Sequence, residues 1–163
     1  MIITLDWLKK HSACVEGIRW FGLENRDAKE VIESLIADHP KNSDALQWAN
    51  WAITRILDRP DKIRYAVFAA EQVIDIFEKK YPDDKRPRNA IEAAKKVIEA
   101  DTQENRNAAY AAADAAAYAA ADAADAAYTA AAAYTAAAAY TAAAAYTYEM
   151  RIKILRYGIT LLK

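Results

Sequence analysis

Apolar residues recur along this chain at intervals of three and four, the spacing that gathers them on one side of an α-helix. Leu5, Leu8, Val15, Ile18 and Phe21 can share such a side, which predicts a first helix over about 6–21 that stops at Gly22. Asp27-Ala28-Lys29-Glu30 has the form of a capping box: the Asp27 carboxylate accepts from the backbone of Glu30, and Glu30 reaches back. Val31, Ile32, Leu35 and Ile36 continue as a helical stripe, closed by Asp38-His39-Pro40. A third helix, capped by Asn42 or Ser43, carries Leu46, Ala49, Ile53, Ile56 and Leu57 and ends near Arg59-Pro60. A fourth is predicted over about 61–80, with Ile63, Val67, Ala70, Ile74 and Phe77 inward and Lys79 and Lys80 at its carbonyl end. After a turn at Tyr81-Pro82-Asp83-Asp84, a fifth runs over about 86–100 with Ile91, Ala94 and Ile98 inward. The last, about 148–162, holds Ile152, Ile154, Leu155, Ile159 and Leu162.

Residues 108–147 have a different texture. Of these 40 positions 27 are alanine, and the remainder are only Tyr, Thr and Asp. Alanine has the highest helix propensity, so helix is predicted here too. A single helix of that length would extend about 60 Å at roughly 1.5 Å per residue, so the tract is expected to bend, break or project. Tyr128, Tyr134, Tyr140 and Tyr146, each followed by threonine, recur every six residues. Six residues turn a helix by about 600°, so successive tyrosines stand about 240° apart and spread over all sides. Such a helix is suited to being surrounded by others, and 128–146 is expected to be mostly buried, within the fold or in a homo-oligomer. Tyr110, Asp114, Tyr118, Asp122, Asp125 and Thr129 instead follow steps of four and three. They form one polar arc, which is either a solvated edge or the lining of a binding cleft.

Composition narrows the fold class. Three glycines and four prolines leave few turns for a sheet, so few long helices are expected and no strand pairing. The predicted architecture is all-α: one helical domain over 1–163, a compact multi-helix bundle with an alanine-rich packing helix or helix pair. A formal net charge of -1 supplies no global pull towards nucleic acid or an anionic membrane. The aspartates within the alanine tract argue against a membrane span. The first residues lack the basic and apolar regions of a signal peptide. Cys14, the single cysteine, has no internal partner, which fits a reducing, cytoplasmic setting.

Catalytic signatures are missing. His11 and Cys14 could face each other on a helix, but a nucleophilic pair also needs an orienting group and an oxyanion site. Cys14 is therefore read as a buried structural cysteine. CxxC, HExxH, Walker A, GxGxxG and GxSxG do not occur, and Asp114, Asp122 and Asp125 lack a carbonyl-rich calcium loop. No metal, cofactor or enzymatic activity is expected. Gly17 inside a predicted helix costs about 1 kcal/mol against alanine, a cost that a close helix crossing would offset. Trp48 and Trp51, one turn apart, are either core packing or aromatic anchors of a binding surface. Arg55, Arg59 and Lys62 place positive charge around Pro60, with Asp58 and Asp61 to offset it.

Arg86-Pro87-Arg88 is the most informative polar group. Pro87 suits a first helical turn, but arginines there oppose the helix dipole, so local stability does not explain them. They either pair with Asp83, Asp84 or another acid, or, oriented by Asp84, they take an anion or an acidic partner. The candidate binding residues are thus Arg86, Arg88, Asp84, Trp48, Trp51, Tyr110 and Tyr118, with no catalytic or metal-binding residue among them.

The string from Lys79 to Ala94, with its Arg86-Pro87-Arg88-Asn89-Ala90-Ile91-Glu92-Ala93-Ala94 core, followed by a long Ala/Asp/Tyr tract, resembles a family of helical proteins of bacteria and their phages classed as immunity proteins. Ala13-Cys14 to Trp20-Phe21 and Trp48-Ala49-Asn50-Trp51 are similar to further segments of that family. The resemblance implies a non-enzymatic protein that neutralises a protein target, either a toxin or, from a phage, a component of host defence. The alternative is a phage sponge that sequesters a nucleotide immune signal, a phosphorylated small molecule held by the arginines and stacked on tyrosines.

Overall fold

The computed structural model describes the backbone of residues 1–115 and 137–163, and the side chains of 1–115 and 148–163. Helix dominates the described residues, and the chain is all-α. Two compact units emerge: residues 1–58 with 151–163, and residues 59–150.

The first unit opens with strand β1 (Ile2–Ile3) and helices α1 (Leu5–Lys10) and α2 (Val15–Phe21). The single helix expected over 6–21 is therefore two. Ser12 adopts a φ of 60°, outside the helical region, and Cys14 starts afresh as the N-cap of α2. The break also corrects two side-chain expectations. Cys14 is exposed rather than buried, and Val15 is 64% exposed rather than part of the apolar side. The Cys14 Sγ accepts a hydrogen bond from the Gly17 amide at 3.3 Å. His11 turns to Trp7 instead of Cys14: its ring centroid lies 4.3 Å from the indole, and its Nδ1 is 2.8 Å from the Trp7 carbonyl oxygen. Gly22 ends α2 at φ 81°, a conformation that glycine adopts without strain. A Cβ at Gly17 would stand 3.3 Å from the Cys14 Sγ and at an ordinary contact distance, 3.8 Å, from the Trp48 ring, so the tight neighbour is the local cap rather than a crossing helix.

Strand β2 (Arg26–Asp27) pairs antiparallel with β1, Ile2 opposite Asp27 and Ile3 opposite Arg26. This corrects the expectation of no sheet. A ladder of two residues is too short to leave an alternating pattern, yet it carries Ile3 to full burial. Asp27 then caps α3 (Ala28–Asp38), its carboxylate accepting from the Lys29 amide at 2.9 Å. Helix α4 (Ala45–Ile56) packs on α3. Asn42 supports the start of α4 by accepting from the Asp44 amide at 3.1 Å; Asp44, not Asn42 or Ser43, is the N-cap. Val31, Ile32, Leu35 and Ile36 are buried on α3, and Ala45, Leu46, Ala49, Ala52 and Ile53 on α4. The three alanines allow the two helices to approach closely. Leu155 of the last helix and Leu162 just beyond its end are also buried.

The second unit contains α5 (Arg59–Glu71), α6 (Ile74–Lys80), α7 (Arg86–Glu99) and a helix, α8, described over 103–115. Helix α9 (Ala137–Leu161) begins in this unit and ends in the first. The helix expected over 61–80 is interrupted at Gln72–Val73. There the ladder tightens to a three-residue step, Val73 N–H to the Ala70 carbonyl at 3.1 Å, while the Gln72 side-chain amide donates to the Phe68 carbonyl. Neither glycine nor proline marks the place. The core gathers Val67 of α5, Ile74 of α6 and Ile91 of α7, with Ile63, Ala70, Ala94 and Ile98 against it. Burying each of the three central side chains contributes about 1.5–3 kcal/mol. The hexad tyrosines Tyr128, Tyr134, Tyr140 and Tyr146, with Tyr118, Asp122 and Asp125, lie outside the residues whose side chains are described.

The cap at Cys14 makes a stability prediction. Serine is a stronger N-cap acceptor, so Cys14→Ser should melt at the same temperature as the native chain or slightly higher, with binding intact. Cys14→Ala, which loses the acceptor, should cost about 0.5–1 kcal/mol. Thermal melts that rank the serine variant at or below the alanine variant would contradict the capping role.

Candidate functional site

In the second unit the helices enclose a groove of about 710 Å³. Its wall is built from Ile63 and Val67 of α5, Phe77 of α6, Ala90 and Ala94 of α7, and Tyr110 of α8. The 3-4 spacing that buries Val67, Ile74 and Ile91 between α5, α6 and α7 leaves neighbouring apolar positions facing the groove. Val73, at the break between α5 and α6, is 44% exposed, and Tyr110 is 68% exposed. A concave, apolar surface of this volume is of the size that takes a ligand or the anchors of a partner.

Positive charge edges it. Arg59 and Lys62, in the first turn of α5, and Arg106, near the start of α8, line the groove. Arg59 and Arg106 share one exposed carboxylate, Asp101, at 3.5 and 3.7 Å. The acids expected to offset this charge are drawn elsewhere. Asp61 is buried and bonded to Arg64 at 2.6 Å, and Asp58 pairs with Lys163 at 3.2 Å in the first unit. Lys62 makes no ion pair among the described residues.

The arginines singled out in the sequence are held by carboxylates. Arg86 Nε and Nη2 donate to both oxygens of Asp84, at 3.0 and 2.7 Å for the shorter pair, and the Arg86 amide donates to Asp84 at 3.1 Å. Asp84 thus neutralises the guanidinium and supplies negative charge at the start of α7, where the dipole favours it. The Arg86 hydrogen bonds hold the Asp84 carboxyl below the usual carboxylate range. Arg88 reaches back to α6, with Nε and Nη2 donating to the two oxygens of Glu78 at 3.0 and 2.6 Å and Nη2 to Asp75 at 3.4 Å. These bonds hold the Glu78 carboxyl down and the Arg88 guanidinium above its ordinary value. Pro87, between the two arginines, lines the groove. Lys95 ties α7 to α5 through Glu71 at 2.8 Å, a bond that raises the lysine's pKa.

Trp48 and Trp51 belong to the first unit, both half-buried. Trp48 faces Trp20 at 6.5 Å, and Trp51 meets Trp7 edge-on at 5.7 Å with the Arg55 guanidinium 5.9 Å from its ring. They line a smaller cleft of about 210 Å³ beside Cys14 and Gly17. Of the residues proposed from sequence, Tyr110 lines the larger groove, Asp84, Arg86 and Arg88 brace the turn into α7, and Tyr118 lies outside the described residues. Apart from Tyr110, the groove's apolar wall was missed: Ile63, Val67, Phe77 and Ala94 read in the sequence as parts of buried helical stripes, and Ala90 carried no signal. Arg59 and Lys62 were the available signal. Among the described residues, no three His, Cys, Asp or Glu side chains converge as a metal site would require, and no helix is long and apolar enough to cross a membrane.

The model of a family described as Imm-5 like putative immunity protein matches residues 44–162. The match takes in Trp48, Trp51, the Arg86-Pro87-Arg88 turn and the whole groove, and leaves out α1 to α3. No curated protein and no solved structure matches the chain.

The brace has a pH signature. A carboxyl whose pKa is lower in the folded than in the unfolded chain stabilises the fold above its unfolded value, and that contribution is lost as pH falls through the folded value. Glu78 and Asp84 both have this sign. The native protein should therefore lose melting temperature on acidification below about pH 4, the ordinary carboxylate range. Arg88→Ala should melt earlier at neutral pH and lose less on acidification. Equal losses for the two proteins would show that Glu78 and Arg88 are not linked in this way.

Proposed function

The chain belongs to this immunity-protein family, and on that footing we propose that it is a non-enzymatic binding protein that neutralises a protein toxin by docking on it. The observation that carries the reading is the apolar groove of the second unit, whose edge carries Arg59, Lys62 and Arg106 with Asp101 the one acid paired to them among the described residues. A surface of this kind buries apolar anchors, while charge steers approach and sets register. The residues around it suit recognition rather than catalysis. Near the groove, the acids Asp61, Glu71, Glu78 and Asp84 are each bonded to a basic side chain, and such pairing leaves none poised as a general base. The nucleotide-sponge alternative draws no support from Arg86 and Arg88, whose forks are engaged by Asp84 and Glu78.

Capture and rescue test this together. The tagged chain should retain, from lysate of its source cells, a protein that arrests growth when produced alone in a heterologous bacterial host, and co-production of the chain should restore colony formation. A captured partner without toxicity, or toxicity that co-production leaves unchanged, would overturn the reading.

A further inference from the structure

We infer that the groove of the second unit seats an amphipathic helix of the protein partner, apolar along one face and carrying carboxylates at the end that meets Arg59, Lys62 and Arg106. This rests on the protein-binding reading above and names the element recognised.

The shape argument comes from alanine. Ala66 and Ala70 on α5, Ala90 and Ala94 on α7, and Ala109 and Ala113 on α8 all line the groove, each an i, i+4 pair. Residues four apart lie one above the other on a helix face, so each pair makes a smooth, shallow strip. Three such strips let a further helix lie close, with its larger side chains at i, i+3, i+4 and i+7 filling the spaces between them. Tyr110, highly exposed beside this floor, offers an aromatic face to an apolar anchor and a hydroxyl to water at the rim.

The charge argument selects the partner's sign and direction. Arg59 and Lys62 stand in the first turn of α5 and Arg106 near the start of α8, where the helix dipoles are already positive. The cations therefore add to the local field rather than complement it. Asp101 is shared between two of them, and Asp61 is turned inward to Arg64. Beside Pro87, by contrast, Arg86 and Arg88 are bonded to Asp84 and Glu78. Arg59, Lys62 and Arg106 thus stand together at the groove's edge around the starts of α5 and α8, with Asp101 the acid paired to them among the described residues and Glu104 beside them in the first turn of α8. A carboxylate brought there gains charge-assisted hydrogen bonds, while a basic end is repelled. An apolar helix with an acidic end satisfies both features at once, in one orientation.

A display library of amphipathic helices, with acidic or basic residues at either end, probes this directly on the full chain. Native protein should enrich sequences with apolar residues at i, i+3, i+4 and i+7 and Asp or Glu at one end, and a synthetic peptide of that kind should bind at least about tenfold better than its lysine counterpart. Ala66 is exposed, so Ala66→Gln should fold normally yet lose binding of both peptides. Lys62→Glu, also at an exposed site, should shift the preference towards the lysine peptide. No enrichment over the Ala66→Gln variant, or enrichment indifferent to charge, overturns the inference. So does concentration-dependent self-association that Ala66→Gln abolishes, because a second copy would then be the occupant. Colony rescue separates this inference from the broader reading. If the native chain rescues and Ala66→Gln rescues equally well, the groove inference alone fails; if the native chain does not rescue, the broader reading fails.

Discussion

Arg88 grips the short helix α6 through a two-pronged bond to Glu78 and a longer contact to Asp75, and the way α6 lies against α7 depends on that grip. Helix α6 has only seven residues, too few to be stable by its own hydrogen bonds. Two things place it. Ile74 sinks into the core beside Val67 and Ile91, which supplies most of the energy. The Arg88 fork then fixes how α6 is oriented against α7, a geometric task that planar bidentate pairing performs well. Lys95 and Glu71 do the same between α7 and α5. With α6 held in this way, Phe77 stands in the groove wall together with Val73 at the break between α5 and α6.

The polar residues of this unit divide into two sets by their partners. Arg64, Arg86, Arg88 and Lys95 meet carboxylates of the same unit at 3.0 Å or less, and they brace turns and helix pairs. Arg59 and Arg106 share a single acid at longer range beside Lys62, and all three line the groove. The docking role proposed above would use such a division: a scaffold that stays folded alone, and a surface that keeps charge in reserve for the moment of contact. The near-zero net charge of the chain is compatible with this, because the steering field is local.

Much of the fold was legible from spacing. The stripe Val31, Ile32, Leu35 and Ile36 and the stripe Leu46, Ala49 and Ile53 are buried where periodicity put them. Pro87 does sit in the first turn of α7, and Gly22 does end α2. The failures have physical causes. Two helix breaks, at 11–14 and at 72–73, occur without proline. The first depends on a positive φ at Ser12, and the second on a local tightening of the ladder. A two-residue ladder leaves no alternation to detect. Cys14 reads as a small buried hydrophobe until the break turns it into a helix cap. The site was legible only in part. Tyr110 was found through the i+4 arc of the alanine tract, and the arginines through their conflict with the helix dipole. Composition could not say which arginines would find carboxylates. That depends on α6 returning beside α7, a tertiary fact that brings Glu78 to Arg88 across ten residues.

Methyl-labelled isoleucine and valine spectra of the chain, titrated with the toxin it is proposed to neutralise, test most directly whether the groove is the docking surface. The account predicts that the methyls of Ile63, Val67, Val73 and Val97 shift or broaden, while those of Ile3, Ile32 and Ile53, deep in the first unit, stay in place. Groove methyls that stay unchanged while signals around Trp48 and Trp51 move would contradict it and place recognition on the tryptophan face.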